Sequence, residues 1–373
     1  TTGALESLYL TTTGTFTGMG DVTLTGESWW AGGTLAGSGT LTVSPGAILR
    51  RLDHPDAPEY NGALILAGRP ILNEGTFIWS GGNIEVDANV TVTNRGLFEI
   101  QSPYPGSSND ALGWADQTQP NGVVTFNNEA GATLRSSGNT GFDAVILNND
   151  GDVEVLGSSY LVLSTPGLHQ GTGRYRAVDA DANLQFSEGT HSLGEGASFS
   201  GAGDIKIANT AEVTLIGDAT SMEGANVQVG ATAYPGGRLW LASTRVTGAK
   251  LAVLPGGRVE FDTTGSLESL YLTTTGTFTG MGDVTLTGES WWAGGTLAGS
   301  GTLTVAAGAT LKRLDHPDAP EYNGDLILAG RPILNEGTVL WTGGDMEVDA
   351  NTTVTNRGLF EIQSPYPGSS NEA

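Results

Sequence analysis

Residues 73–100 read NEGTFIWSGGNIEVDANVTVTNRGLFEI, in which an Asn and a nearby Gly precede short runs of alternating apolar and polar residues. The phrase starts at Asn73 and again at Asn94, and it recurs at Asn128 and Asn149. Alternation with a period of two indicates β-strands, and Gly and Asn tolerate the left-handed backbone angles of tight corners. The stretch therefore predicts short strands separated by Asn/Gly corners.

The spacing of these corners predicts coils of nearly constant length. Successive Asn residues of the phrase are 21, 34 and 21 residues apart, and 34 is 21 plus 13. The long interval contains SPYPGSSNDALGWADQTQPNG at 102–122, which we interpret as an inserted loop. A Gly-x-Gly phrase recurs before strands at Gly18 and Gly37, which are 19 residues apart, and again at Gly201. A short period of this kind, with two or three strands in each repeat, is typical of a β-solenoid.

A string of β-sandwiches is the alternative all-β fold, because it also requires frequent turns. It does not predict a 21-residue phase that survives a 13-residue insertion. We therefore expect an all-β, right-handed parallel β-helix (β-solenoid) with coils of about 19–21 residues and two protruding loops per unit. In this fold one corner carries a structural ladder of hydrogen-bonded side chains. The ladder residues are Asn73, Asn94, Asn128 and Asn149.

The sequence also contains a repeat much longer than this short period. Residues 1–111 return as 263–373 at a constant offset of 262, with 13 differences in 111 positions. We predict that 1–262 is one complete tandem unit of a continuous β-solenoid and that 263–373 starts the next unit, so that the chain holds about 1.4 units of a longer array. About 12 coils at about 4.8 Å each predict a rise of about 55–60 Å per unit.

Composition narrows the range of partners. The chain has 40 acidic and 16 basic residues and a net charge of −24, which disfavours nucleic acid and anionic membrane surfaces as partners. It contains no Cys, so disulfides do not stabilise it. No apolar run approaches the roughly 20 residues that a membrane-spanning helix needs. We expect no nucleic-acid partner and no membrane insertion by this segment.

Two further stretches resemble a known class of repeats. They are GESWWAGGTLAGSGTLTVSPGAIL at 26–49 and SEGTHSLGEGASFSGAGDIKI at 187–207. Together with 73–100 they resemble the repeats of very large bacterial surface and secreted proteins, which are parallel β-helix proteins of the adhesin, autotransporter-passenger and filamentous-haemagglutinin kind. The resemblance covers nearly the whole chain except 52–60 and 102–121. It implies an extracellular or cell-surface location in a bacterium, and it specifies fold better than activity because its motifs are structural.

Two loops carry the candidate residues for ligand or lateral contacts. Loops 52–60 and 102–121 interrupt the strand pattern, and loops on a rigid scaffold often carry function. The structural alternatives are a proline-stiffened excursion for the first loop and aromatic side chains that shield the solenoid's flank for the second. The candidate residues are Asp53, His54, Asp56, Glu59, Tyr60, Tyr104 and Trp114.

Acidic residues at predicted corners are candidates for binding calcium, although the tandem Gly-Gly-x-Gly-x-Asp lines of calcium nonapeptides are missing. They are Asp150, Asp152, Asp179 and Asp181. We expect no other cofactor.

The tryptophans allow two interpretations. Trp29 and Trp30 are adjacent, so one points inward and the other outward in a strand. With Trp79 and Trp240 they form either a sugar-binding strip or a set of core-filling and flank-covering aromatics.

We interpret the chain as a structural segment of a long tandem-repeat extracellular bacterial protein, a stiff fibre, stalk or adhesin shaft without enzymatic activity. One alternative is a carbohydrate- or surface-binding adhesin module that uses the recurring loops. Another is a β-helix polysaccharide-active enzyme, which needs a cluster of acids on one face. The expected partners are adjoining repeats of the same chain, with lateral self-association or cell-surface glycans as further candidates.

Overall fold

The computed structural model is built of β-strands and turns, with no helix among the residues that it describes. These are residues 2–51, 62–101, 111–114, 123–143, 145–231, 236–313, 324–343, 345–349 and 352–363. The chain divides into two compact units, Thr1–Thr190 and His191–Ala373. Each unit is a parallel β-solenoid in which strands pair with the equivalent strands of the next coil.

Three parallel sheets form the first unit. The first sheet contains Gly3–Leu5, Val22–Leu24, Leu41–Val43, Ile71–Asn73, Val90–Asn94, Val124–Asn128 and Val145–Asn149. The second contains Tyr9–Leu10, Glu27–Trp30, Ile48–Arg51, Thr76–Trp79, Leu97–Ile100, Thr133–Ser136, Asp152–Val155 and Arg174–Ala177. The third contains Thr15–Phe16, Gly33–Ala36, Leu64–Ala67, Ile84–Ala88, Ala111–Trp114, Thr140–Asp143 and Tyr160–Gly171. The strand Asn183–Leu193 includes residues of both units.

The second unit repeats this arrangement. Its first sheet contains Gly265–Leu272, Val284–Leu286, Leu303–Val305, Ile333–Asn335 and Val354–Asn356. The strands Ser198–Ser200, Ser221–Glu223 and Arg245–Thr247 precede it and pair with one another. The second sheet contains Asp204–Ile207, Asn226–Val229, Ala249–Val253, the same Gly265–Leu272, Glu289–Trp292, Thr310–Arg313, Thr338–Trp341 and Leu359–Ile362. The third contains Glu212–Ile216, Arg238–Ala242, Arg258–Asp262, Thr277–Thr279, Gly295–Ala298, Leu326–Ala329 and Met346–Val348.

Coil length varies along the chain. Gly3 pairs with Val22, an offset of 19, and Ile71 pairs with Val92, an offset of 21. The middle of the chain uses longer coils, since Asn226 pairs with Lys250 at an offset of 24. In this region the strand Tyr160–Gly171 is 12 residues long, so one extended segment replaces a short strand and its corner.

The apolar core follows from the alternation of inward-facing and outward-facing residues along each strand. In the strand Leu97–Ile100, Phe98 and Ile100 are buried, while the alternate residues Leu97 and Glu99 are only half-buried. Phe77 stacks on Phe98 with ring centroids 4.5 Å apart, and Phe98 meets Phe126 edge-on at 5.0 Å. Because each ring contacts rings of neighbouring coils, the apolar interior is continuous through the stack of the first unit.

The strands on either side of the predicted insertions stay in register. Thr76 pairs with Ile48 across 52–61, and Val124 pairs with Val90 across the long interval that contains 102–122. Insertions are therefore accommodated without a shift in the inward-facing positions of the next coil.

The junction between the two sequence copies lies inside the second unit, and parallel pairing crosses it with one register shift, between Ala249 and Lys250. Leu251 pairs with Leu270, and Val259 pairs with Phe278. Parallel pairing thus continues from the end of residues 1–262 into residues 263–373.

Candidate functional site

The loop candidates lie mostly outside the described residues. This holds for Asp53, His54, Asp56, Glu59, Tyr60 and Tyr104. The backbone of Trp114 ends the strand Ala111–Trp114 and pairs with Val86, while its side chain is outside the described residues. The role of these residues in ligand or lateral contacts stays a prediction.

The four corner asparagines form a buried column in the first sheet of the first unit. Asn73 Nδ2 donates to Asn94 Oδ1 at 2.7 Å, and Asn94 Nδ2 donates to Asn128 Oδ1 at 2.8 Å. Asn128 Nδ2 in turn donates to Asn149 Oδ1 at 2.7 Å. All four side chains are fully buried. At the start of the column, Asn73 Oδ1 has no hydrogen-bond partner among the described residues.

Each amide in the column also bonds the backbone of the next coil. Asn94 Nδ2 donates to the carbonyl of Thr133 at 3.0 Å, and Asn128 Nδ2 donates to the carbonyl of Asp152 at 3.0 Å. The second sequence copy begins the same column, since Asn335 Nδ2 donates to Asn356 Oδ1 at 2.7 Å. Asn73, Asn94 and Asn128 each donate both to the next asparagine and to a backbone carbonyl, so the column ties side chains and corner backbone of successive coils together.

The carboxylates suggested for calcium contact the protein itself. Asp150 Oδ1 accepts bonds from the backbone nitrogen of Thr172 at 3.0 Å and from its hydroxyl at 2.9 Å. Asp152 forms an ion pair with Arg174. Among the described residues, no group of three or more His, Asp or Glu side chains is placed to hold a metal ion. Calcium at these corners stays a prediction.

The remaining two calcium candidates lie at another corner. Asp179 Oδ2 accepts a bond from the backbone nitrogen of Gly157 at 2.6 Å. The backbone carbonyl of Asp181 accepts from the Asn183 side chain at 3.0 Å. Asp179 thus links two neighbouring coils of the first unit.

Two arginines that the sequence analysis did not single out are buried at Gly-x-Gly corners. Arg69, only 1% exposed, donates to the carbonyls of Ala36 at 2.7 Å, Gly39 at 2.5 Å and Gly18 at 2.9 Å. Its guanidinium lies 5.0 Å from the ring centroid of Phe16. Burial lowers the pKa of Arg69 below its ordinary value, and the charge of a nearby acid opposes this shift. The arginine therefore ties together corners of several coils.

Arg331 is the equivalent residue of the second copy and makes the same contacts. It donates to the carbonyls of Ala298 at 2.7 Å, Gly301 at 2.8 Å and Gly280 at 2.9 Å. Its guanidinium lies 5.1 Å from the ring centroid of Phe278. Burial lowers the pKa of Arg331 to about 10. We call each of these arginines, with the carbonyls to which it donates, an arginine clamp. The sequence signal for it was the phrase AGRP, which is present at 67–70 and again at 329–332.

The tryptophans do not form one strip. Trp30 and Trp79 are buried, and their indole nitrogens donate to the carbonyls of Gly33 at 3.2 Å and Gly82 at 2.8 Å. They fill the core because they occupy inward positions of their strands. Trp29 faces outward, with the guanidinium of Arg50 5.9 Å from its ring centroid.

Trp240 has a different setting from the other three. It lies on the third sheet of the second unit and is 41% exposed. It lines a surface groove of about 170 Å³, whose other polar lining residues are Glu212, Thr214, Arg238, Arg258 and Glu260. This groove joins side chains from three successive strands of one sheet.

Part of the chain is similar in sequence to a known bacterial protein. The chain is 28% identical over 235 residues to a protein described as "Adhesin BmaC autotransporter" from Brucella suis biovar 1 (strain 1330). The match covers 58% of this chain and 7% of the length of that relative. No family model matches the chain. No solved structure matches it either.

The β-solenoid fold and this similarity are consistent with an adhesin or with the passenger shaft of an autotransporter. They point to a bacterial protein at the cell surface or outside the cell. Among the described residues, no helix is long and apolar enough to cross a membrane.

Proposed function

We propose that this chain is a stiff shaft segment of a long extracellular bacterial surface protein of the adhesin kind, in which tandem 262-residue repeats add length. The observation that carries the proposal is the parallel pairing that continues across the junction of the two sequence copies. Leu251 pairs with Leu270 and Val259 with Phe278, so one repeat ends where the next can stack on it. A linker between separate domains would interrupt this parallel pairing.

The stiffness follows from the hydrogen bonds between coils. Bending a solenoid requires stretching backbone pairs along one face, together with side-chain contacts such as the asparagine column. Two features of the chain support this mechanical role. The buried Arg69 and Arg331 cross-link corners of successive coils in both sequence copies. The net charge of −24 opposes collapse of one segment onto another.

The test measures length against the number of repeats. Chains carrying one, two and three copies of residues 1–262 are studied by small-angle scattering and by electron microscopy. Each added copy should lengthen the particle by a constant increment of about 55–60 Å at an unchanged cross-section. Stability should rise with copy number and level off.

A matched control places a flexible Gly/Ser linker between Asp262 and Thr263, where the copies meet. This variant should be hinged, with a broad distribution of end-to-end distances. If the uninterrupted chain is as hinged as the linker variant, the repeats are separate domains and the shaft proposal is wrong.

A shaft segment of this kind has no enzymatic activity, and the proposal includes this point. It predicts no turnover of pectin, alginate, chitin or glucan, with or without calcium. Product formation that one acid substitution abolishes would establish the β-helix enzyme instead.

A further inference from the structure

The groove around Trp240 presents a fixed aromatic face to solvent. The strand Arg238–Ala242 turns Leu239 and Leu241 into the core, which leaves Trp240 pointing outward. Its indole Nε1 donates to Asp262 Oδ2 of the next strand at 2.9 Å. The backbone and this hydrogen bond hold the ring in place, so a ligand that stacks on it meets a surface that is already ordered.

Charged planar groups flank this ring in two rows set by the strand register. One row runs from Glu212 through Arg238 to Arg258, and these residues are direct partners across adjacent strands. The neighbouring row places Trp240 beside Glu260. Because adjacent parallel strands are about 4.8 Å apart, the two rows place charged groups on both sides of the ring, close enough for one ligand that stacks on it to reach them.

The charged side chains are held only loosely by one another. Arg238 lies 3.5 Å from Glu212, and Arg258 lies 4.0 Å from Glu260. Both arginines and both glutamates are at least 45% exposed, and exposed ion pairs of this kind contribute little to stability. Their guanidinium and carboxylate groups can turn towards a ligand at small cost and form paired hydrogen bonds with adjacent hydroxyls.

The charged residues at the groove favour a neutral ligand over an anionic one. Two arginines face three acids at the groove, Glu212, Glu260 and Asp262, so the local sum is 2 − 3 = −1. The whole chain carries −24. An anionic sugar would meet net repulsion, whereas a neutral sugar needs only stacking and hydroxyl contacts.

The volume of the groove indicates how much of a ligand it can hold. A volume of about 170 Å³ is smaller than the roughly 300–1,000 Å³ of pockets that enclose a whole small molecule. It fits one ring of a chain that continues across the surface. We propose that Trp240, with Arg238, Arg258, Glu212 and Glu260, forms a binding site for a hexopyranose unit of a neutral glycan. The site is separate from the shaft role, and neither proposal depends on the other.

The test uses the full 373-residue chain and titration calorimetry. The probes are neutral hexasaccharides of glucose and of mannose, with hexagalacturonate as the acidic probe. At least one neutral probe should bind, and Trp240→Ala should weaken it at least about tenfold. Arg238→Gln should weaken it less, because one of several hydroxyl contacts is lost. Both substitutions are on the surface and should leave the melting temperature nearly unchanged.

The matched control is Trp291→Ala, which removes an outward-facing tryptophan from the second sheet of the same unit. It should leave glycan affinity unchanged. Three results would overturn the proposal: no neutral probe binds, Trp240→Ala binds as well as the native chain, or hexagalacturonate binds more tightly than the neutral probes.

Discussion

Asn94 Nδ2 donates a 2.8 Å hydrogen bond to Asn128 Oδ1, although the two residues are 34 positions apart. The rungs on either side, Asn73 to Asn94 and Asn128 to Asn149, join residues 21 apart. The ladder therefore keeps its geometry across the inserted segment. This continuity means that the corner is specified by the buried amides and not by a constant coil length.

Replacing a central rung should be far more costly than replacing an amide on the outer surface. Asn94→Ala removes the side-chain partner of Asn128 Oδ1 and of the Thr133 carbonyl, and one of the two acceptors of Asn73 Nδ2. We expect a loss of about 2–4 kcal/mol in the free energy of unfolding, measured by urea denaturation. The control Asn148→Ala removes a half-buried amide that bonds Asn127 at 2.9 Å and should cost less than about 1 kcal/mol. Equal losses for the two variants would contradict the structural role of the ladder.

The buried arginine clamp should not tolerate lysine. Arg69 donates to three carbonyls from two or more coils, and one ammonium group cannot reach all of them. Arg69→Lys should lower the free energy of unfolding by about 2–3 kcal/mol, and Arg331→Lys should do the same because it makes equivalent bonds. The exposed Arg95→Lys is the control and should leave the denaturation midpoint unchanged. If neither lysine variant has a lower free energy of unfolding, the carbonyls are hydrogen-bonded in another way.

Asp143 should make the first unit less stable as pH rises. Burial raises the pKa of its carboxyl above the ordinary 3.8, and the charge of Glu188 raises it further. The folded state then binds the proton more tightly than the unfolded state, so the associated stability is present below the ordinary pKa and lost as pH rises through the folded-state pKa. Asp143→Asn should melt at a higher temperature than the native chain, by a margin that grows from about pH 4 upward. A margin for Asp143→Asn that stays flat across this pH range would disprove the effect.

Close approach between coils should forbid a side chain at Gly257. A Cβ there would lie 2.0 Å from the carbonyl oxygen of Val229. The backbone has to move to accommodate it, so Gly257→Ala should cost at least about 2 kcal/mol in thermal or urea unfolding. Gly194→Ala is the matched control, since a Cβ at that position has nothing within 4 Å. It should change stability by less than about 0.5 kcal/mol, and a similar cost for both would mean that loss of glycine itself, not overlap, is responsible.

Several features could be predicted from sequence because they depend on neighbours along the chain. The alternation of Leu97–Ile100 determines which side chains enter the core, and the adjacency of Trp29 and Trp30 requires opposite faces. The recurrence of Asn73 at Asn94 is visible because the intervening coil has no insertion. Local periodicity thus determined the class of fold, the corners and the in-or-out direction of most strand residues.

Contacts between coils could not be predicted from sequence in the same way, because they depend on the length of every turn between the two partners. Arg69 meets the carbonyl of Gly18, 51 residues earlier, only when two intervening coils are correctly stacked. Trp240 meets Thr214 and Glu260 at offsets of 26 and 20, which no single period predicts. The sequence by itself determined that this protein stacks short parallel strands and turns them at Gly and Asn. Only the tertiary structure decided which outward side chains become neighbours, because coil length varies, for example from 19 to 24 residues, and insertions are taken up between strands, so spacing along the chain does not give the partner in the next coil.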